Sequence, residues 1–319
     1  MSVNSRPLNG ESVARRLLRK AVAKTAVAIG MAAALMLATA ATGIAAADQD
    51  PAAPRQQRWS RTPDSSERVD RTDATAPTDA VEVVLIHGLG ASAAIWDSLK
   101  PFLGGAYRIL AYEIHGHGTT KPLADPTIDG EATALAAWLV AHQVERPIIV
   151  GHGLGGMIAM HYTFHHPDRV ARLVVIDTAP RQLASSELKA SVAQRLLDDY
   201  DRFVASHYVA ISADEEICQR AVDMALRTDS TSFVSLLLSS FDWDLTELVA
   251  QSPVPMLVIG SDAYLPDSEH EDQILAAYGF SGAQNLSFRR IEGTGHYLML
   301  EKPTYVASVI QVWLRSLRR

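Results

Sequence analysis

Residues 151–156 read Gly-His-Gly-Leu-Gly-Gly, and they lie between a short apolar run and a helical segment. The run is Pro147–Val150, and the helical segment, Leu154–His166, is stopped by Pro167. Four glycines in six residues indicate a turn that needs positive φ or close backbone approach. The stretch therefore predicts a sharp turn that leads from a buried strand into a helix.

The alternation of apolar runs with helices extends outward from this turn, from residue 81 to the end of the chain. The other apolar runs are Val81–Ile86, Tyr107–Tyr112, Leu173–Ile176, Pro255–Ile259 and Leu286–Ile291. Helical segments such as Gly130–His142 and Thr304–Leu317 separate or follow them. Runs buried on both faces and separated by helices specify a parallel sheet. The pattern predicts one α/β domain over 81–319.

Residues 182–250 interrupt the alternation. They contain helical segments at Ser186–Phe203, Asp214–Arg227 and Ser232–Ser240, and no strand is evident. A parallel crossover needs only about a dozen residues, so we predict that this insertion forms a helical cap over the carboxyl ends of the strands, where open α/β sheets bind ligands. Its apolar side chains either line a pocket or pack the cap against the core. They are Phe203, Tyr208, Phe233, Leu236–Leu238, Phe241 and Trp243.

The first 80 residues have a different composition. Residues 1–47 combine a basic start with an uncharged run, Thr25–Ala47, that ends in three alanines, which is typical of an export signal peptide. The pair Arg15-Arg16 resembles a bacterial twin-arginine signal and implies a periplasmic or extracellular protein. An uncleaved membrane anchor is the alternative. Residues 48–80 are rich in Pro, Arg, Asp and Thr and predict a flexible tether.

Charge and composition exclude several classes of partner. Beyond residue 47 the chain has 23 basic and 35 acidic residues, a net charge of −12, which argues against nucleic acid. The single cysteine, Cys218, and the absence of Cys/His spacing argue against zinc. No phosphate-binding loop stands in a dinucleotide-binding context, so we expect no cofactor. The sequence leaves the oligomeric state open.

Several short motifs follow the predicted strands in a characteristic order. They are His87-Gly88-Leu89-Gly90, the six residues 113–118 (Glu-Ile-His-Gly-His-Gly), the turn at 151–156, Gly260-Ser261-Asp262, and Gly295-His296 followed by Glu301-Lys302-Pro303. Together they resemble the α/β-hydrolase family over residues 81–319. The resemblance implies an α/β-hydrolase fold, a mostly parallel sheet flanked by helices with a helical cap insertion.

The resemblance also implies a catalytic apparatus. The family presents a nucleophile on a strand–turn–helix elbow, a histidine that takes its proton, an acid that orients the histidine, and two N–H groups that hold an oxyanion. These roles fall on His296 as the base, Asp262 as the acid, and the N–H groups of Leu89 and Leu154. Asp177 is an alternative acid because it too ends a strand.

The elbow departs from the family at one position. Gly153 stands where the Gly-x-Ser-x-Gly motif has its serine, and glycine cannot attack a carbonyl group. Glycine does adopt the strained positive φ of an elbow without a Cβ clash, so the change should stabilise the turn. The histidines near strand ends, at 87, 115, 117 and 152, could form a metal site, but most belong to the family's turn motifs and we expect no metal.

Three functions fit this pattern. The first is an esterase-type hydrolase, or a recent derivative, that acts on a small hydrophobic ester or carbonyl compound through water or direct proton abstraction. The second is a non-catalytic pseudo-hydrolase that binds a small apolar ligand in the capped pocket. The third is an ordinary esterase or lipase whose serine is replaced by glycine in this chain.

Overall fold

The computed structural model describes residues 81–105, 107–262, 264–265 and 271–317. The predicted export signal at 1–47 and tether at 48–80 lie outside these residues and stay predictions. Within the described part of the chain, no helix is both long and apolar enough to cross a bilayer.

The sheet is parallel throughout, and its strands begin within one residue of the predicted runs. Six strands form it, in the spatial order β2-β1-β3-β4-β7-β8, while β5 and β6 form a separate antiparallel pair. The strands found in the described residues are β1 Val81–Ile86, β2 Tyr107–Tyr112, β3 Ile148–His152, β4 Arg172–Ile176, β5 Arg181–Leu183, β6 Asp242–Asp244, β7 Met256–Ser261 and β8 Leu286–Ile291. The predicted α/β fold class, with a mostly parallel sheet, is confirmed.

Helices cover both faces of the sheet. They are α1 Lys100–Leu103, α2 Ile128–Ala141, α3 Leu154–His165, α4 Ser186–Asp198, α5 Tyr200–Tyr208, α6 Glu215–Ala225, α7 Ser230–Ser239, α8 Thr246–Gln251, α9 Glu271–Ala277, α10 Leu298–Glu301 and α11 Pro303–Ser316. Because successive side chains of a strand point to opposite faces, Val83 and Leu85 join one core cluster and Val84 and Ile86 the other.

The segment between β4 and β7 differs from its prediction in two respects. The expected single helix Ser186–Phe203 is two helices, because Asp199 leaves the helical conformation and accepts a hydrogen bond from the N–H of Arg202. The expectation that this segment has no strand is wrong, since β5 and β6 pair there. Each has three residues, too few to produce a recognisable alternation.

The cap, residues 182–250, is fixed to the sheet domain at its rim. The guanidinium of Arg220 donates to the carbonyl of Ala94 at 3.0 Å, and the indole N–H of Trp243 donates to the carbonyl of Ala179 at 3.1 Å. The apolar cap side chains named above are buried, apart from the partly buried Leu238, and most belong to the two core clusters. They therefore mainly pack the cap onto the core.

Candidate functional site

The turn between β3 and α3 has the geometry of a tight elbow. Gly153 lies at its apex with φ 52° and ψ −121°. Its N–H donates to the carbonyl of Ile176 at 3.0 Å, and its carbonyl accepts the N–H groups of Gly156 and Met157. Both polar groups of the apex are thus fixed, one to β4 and one to α3.

The flanking glycines are required by close backbone packing. A Cβ on Gly151 would lie 2.4 Å from the carbonyl oxygen of Gly155, and a Cβ on Gly155 would lie 2.2 Å from that of His87. Neither contact can be relieved by moving a side chain. These two positions explain why the turn must be glycine-rich.

Gly153 is different, because space for a side chain exists there. A Cβ at this position would meet the Nε2 atom of His296 at 3.4 Å as its nearest neighbour, which is an ordinary van der Waals contact. A side chain on residue 153 would therefore point at the imidazole of His296.

The imidazole is held by a buried carboxylate. The Nδ1 atom of His296 lies 3.1 Å from Oδ2 of Asp177, whose side chain is only 1% exposed, while that of His296 is 37% exposed. Since the carboxylate accepts the Nδ1 proton, Nε2 is left as a base that faces residue 153. Asp177 in turn accepts the backbone N–H of Ser261 at 2.6 Å and its hydroxyl at 2.7 Å.

The expectation that Asp262 orients His296 is corrected by this geometry. Asp262 pairs with the guanidinium of Arg290 at 2.7 Å and accepts the N–H of Gly293 at 2.6 Å. It therefore steadies the loop that leads to His296, and Asp177, the alternative, lies beside the imidazole.

Sheet register accounts for the difference. His152 of β3 is level with Ile176 of β4, and Ile176 is level with Ile259 of β7. Asp177 is consequently level with the elbow apex, whereas Asp262 lies two residues further along its strand and loop. Asp177 also has φ 48°, which is uncommon for a side-chain-bearing residue.

The loop after β1 carries the first predicted oxyanion donor, the N–H of Leu89. The carbonyl of the same peptide group, on Gly88, accepts Nδ1–H of His87 at 2.8 Å and the N–H of Ala91 at 3.2 Å. The next peptide group is held at both ends. Its carbonyl, on Leu89, accepts the Tyr208 hydroxyl at 2.6 Å, and its N–H, on Gly90, donates to Nε2 of His117 at 3.1 Å.

The second predicted donor, the N–H of Leu154, opens α3 directly after the elbow apex. The described residues supply no backbone acceptor for this N–H or for that of Leu89. Leu154 directly follows the apex, and a Cβ on Gly153 would lie 3.8 Å from Cα of Gly88, the residue before Leu89. Both N–H groups therefore belong to residues near the apex, as an oxyanion site requires.

Buried neutral histidines support this region. Burial, and then the nearby His87, lower the pKa of His117 to about 3. Burial also holds the pKa of His152 well below its usual range, with His296 adding to the effect, and Nε2–H of His152 donates to the carbonyl of His296 at 2.8 Å. Both imidazoles are therefore uncharged, and they stabilise the surrounding loops through hydrogen bonds.

The histidines considered above as possible metal ligands have other partners. Among the described residues, no group of three or more His, Cys, Asp or Glu side chains is arranged to hold a metal ion. His87 instead accepts the N–H of Ile114 at 3.0 Å, and His115 lies 3.2 Å from a carboxylate oxygen of Glu131.

Sequence reasoning did not identify the contacts that the cap makes with the site. The hydroxyl of Tyr208 reaches the loop after β1, and the carbonyl of Ile211 accepts the backbone N–H of His296 at 2.7 Å. No local sequence signal marks either contact, because each joins segments more than 80 residues apart.

Comparison with known proteins identifies the family of the chain. A family model described as "Alpha/beta hydrolase family" matches residues 83–309. A pimeloyl-[acyl-carrier protein] methyl ester esterase of Aromatoleum aromaticum is 27% identical over 259 residues, which cover 74% of this chain and 98% of the relative. Lipase LipV of Mycobacterium tuberculosis is 29% identical over 255 residues, 74% of this chain and 94% of the lipase.

Solved structures show the same fold at lower identity. A thermophilic esterase from Thermogutta terrifontis superposes with a TM-score of 0.66 at 21% identity and covers 79% of this chain and 98% of its own. An enol-lactonase from Burkholderia xenovorans gives 0.65 at 20% identity, with 78% and 95% covered. The chain belongs to the alpha/beta hydrolase family.

Proposed function

We propose that the chain is an esterase-type hydrolase of small esters that works without a covalent acyl-enzyme intermediate. The observation that carries the proposal is the placement of His296, whose Nε2 atom faces the apex at Gly153 while Asp177 holds Nδ1. A glycine apex closes the acylation route but leaves the general base in position.

The geometry fits direct attack by water. Nε2 of His296 takes a proton from water as the water oxygen attacks the ester carbonyl, and the N–H groups of Leu89 and Leu154 bind the oxyanion. When the tetrahedral intermediate collapses, the imidazolium returns the proton to the leaving alkoxide, which gives an acid and an alcohol. Asp177 stabilises the imidazolium between the two steps.

The esterases among the relatives support an ester as the substrate class. The same base could instead abstract a substrate proton beside a carbonyl group, with the oxyanion held in the same place. We favour hydrolysis because the relatives named above act on esters or are called lipases.

A second function, ligand binding without turnover, is favoured by one observation. The apex has φ 52° and ψ −121°, a conformation that strains any residue with a side chain. Glycine removes that strain, as expected once catalysis is no longer selected.

One experiment separates the two functions. The parent chain and His296→Ala are assayed with p-nitrophenyl butyrate, and His165→Gln is the control because His165 is exposed at the end of α3. Water activation predicts slow turnover that the parent and the control share and that His296→Ala abolishes. Turnover that His296→Ala leaves unchanged contradicts the proposal. Thermal stabilisation of the parent by p-nitrophenyl butyrate without release of nitrophenol contradicts it as well.

A further inference from the structure

Ser261, the last residue of β7, contacts the proton-transfer pair directly. It is fully buried and donates to both oxygens of the Asp177 carboxylate. Its backbone N–H reaches Oδ1 at 2.6 Å, and its hydroxyl reaches Oδ2 at 2.7 Å. Of the motif Gly260-Ser261-Asp262, it is thus Ser261 that lies beside the pair.

The hydroxyl of Ser261 has a fixed orientation. Its oxygen accepts the backbone N–H of Tyr264 at 3.2 Å, so its own proton is directed at Asp177. The side chain of Asp177 is only 1% exposed, and Ser261 has no exposed surface. Water therefore cannot replace the hydroxyl as a donor, and a hydrogen bond in such surroundings is stronger than one at the surface.

Oδ2 of Asp177 has a second donor besides this hydroxyl. It lies 3.1 Å from Nδ1 of His296, whereas the Ser261 hydroxyl lies at 2.7 Å. Each hydrogen bond to a carboxylate stabilises its charged form and makes the oxygen less basic. The imidazole therefore interacts with an oxygen whose negative charge is partly compensated by Ser261.

The position of the carboxylate depends on other contacts as well. The backbone N–H of Asp177 donates to the carbonyl of Ile259 at 2.9 Å, which ties the residue to β7. The backbone N–H of Ser261 would still hold Oδ1 if the hydroxyl were removed. We therefore expect the hydroxyl to act mainly on the charge of Oδ2 and less on the place of the carboxylate.

The other titratable groups that face the imidazole of His296 are uncharged near pH 7. The ring of His152 lies 4.4 Å away, and burial holds its pKa well below the usual range. The ring of Tyr297 lies 5.7 Å away, and burial raises its pKa far above the usual range. Desolvation, and then His296 itself, lower the pKa of His207 to about 4. Among the described residues, Asp177 has the only carboxylate that pairs with this imidazole.

We propose that Ser261 is a positioning residue for the base, whose hydroxyl, by sharing Oδ2 of Asp177, limits how strongly the carboxylate holds a proton on His296. The inference rests on the proposed function, in which the imidazole must be unprotonated to take a proton from water. A carboxylate without this hydrogen bond stabilises the imidazolium more strongly. Fewer molecules would then carry a free base near neutral pH, and general-base catalysis would be slower. Ser261 thus keeps the base available.

The test follows the titration of His296 in the full chain by nuclear magnetic resonance, which needs no turnover. The imidazole Cε1–H signal of His296 is assigned by its loss in His296→Ala. In Ser261→Ala we expect the titration midpoint to lie about 0.5 pH unit above that of the parent, which is about a threefold gain in proton affinity. Ser261→Thr keeps the hydroxyl and should restore the midpoint of the parent.

Ser252→Ala is the matched control. It removes another buried hydroxyl, just before β7, that accepts the N–H of Val254 and does not contact the pair. A serine with a merely structural role would lower stability and leave the midpoint of His296 where it is, as we expect for this variant.

Three results would overturn the inference. They are a midpoint in folded Ser261→Ala at or below that of the parent, the same rise in Ser252→Ala, and a rise that persists in folded Ser261→Thr. If Ser261→Ala does not fold, Ser261→Cys, which fills the space with a weaker donor, must itself raise the midpoint. A parent chain that hydrolyses no ester would instead overturn the proposed function, and the titration result would still stand.

Discussion

The turn after β3 and the loops after β4 and β8 meet at one edge of the sheet, but they differ in the side chains that they present there. The turn keeps its positive φ and its backbone hydrogen bonds, while its apex has no side chain. The loops keep a full proton-transfer pair, Asp177 and His296, supported by Ser261. The comparison shows that the geometry of this turn does not depend on a side chain at its apex.

The glycines of the turn also fall into two groups, which differ in whether a side chain would fit. At Gly151 and Gly155 a Cβ would overlap backbone atoms, whereas at Gly153 it would make an ordinary contact with the imidazole of His296. Packing therefore requires glycine at the first two positions, whereas at the third a side chain has space and only the positive φ disfavours it.

The largest effect should come from restoring the apex side chain. In Gly153→Ser the hydroxyl lies within reach of Nε2 of His296, so acylation becomes available and ester hydrolysis should rise on the order of 10³-fold. Hydrolysis of p-nitrophenyl butyrate and a burst of nitrophenol measure it. Gly153→Ala is the control, since it adds a Cβ without a nucleophile.

If Gly153→Ser folds but hydrolyses esters no faster than the parent, the contrast drawn between the turn and the loops does not hold. Such a result would show that the oxyanion donors or the base are misplaced, and that the apex is not the only part of the apparatus that has changed.

The next effect distinguishes the two aspartates. In the Gly153→Ser background, Asp177→Asn should lower kcat on the order of 10²-fold, because the imidazole loses the carboxylate that fixes its tautomer and stabilises its charge. Asp262→Asn is the matched control and should change kcat by under about threefold, since Asp262 pairs with Arg290. A larger loss in Asp262→Asn than in Asp177→Asn would contradict the assignment.

These two aspartates also show how far the sequence alone could lead. The six strands were predictable because buried β-branched runs separated by helices have few other solutions. His296 and Gly153 followed from local motifs. The partner of His296 did not, because it depends on how far β4 and β7 extend relative to β3, and register is a property of the assembled sheet.

The contacts between the cap and the site could not be predicted from the sequence, for a related reason. Tyr208 and Ile211 act through single hydrogen bonds between segments distant in the chain, and neither residue type marks such a bond. The strands β5 and β6 were missed because three residues are too few to show a period.

A third prediction concerns stability and sharpens the contrast within the turn. Gly155→Ala should lower the free energy of unfolding by about 3 kcal/mol, because its Cβ would press on the carbonyl oxygens of His87 and Ile86. Gly153→Ala should cost about 1 kcal/mol, from its positive φ alone. Urea denaturation followed by circular dichroism measures both. Equal losses would show that steric demand does not separate the two positions.

The smallest effect should come from weakening the hydrogen bond between the cap and the loop after β1, which carries Leu89. Tyr208→Phe removes the hydroxyl that donates to the carbonyl of Leu89 but keeps the buried ring, which lies against Gly90. The Leu89–Gly90 peptide is then held only through His117, so the neighbouring N–H of Leu89 is less well aimed at the oxyanion. In the Gly153→Ser background we expect kcat to fall about threefold to tenfold with KM unchanged, because the interaction matters most in the transition state. Tyr200→Phe, which alters another tyrosine of α5, is the control. A rise in KM without a change in kcat would instead assign Tyr208 to substrate binding and would contradict a role of its hydroxyl in aiming the N–H of Leu89.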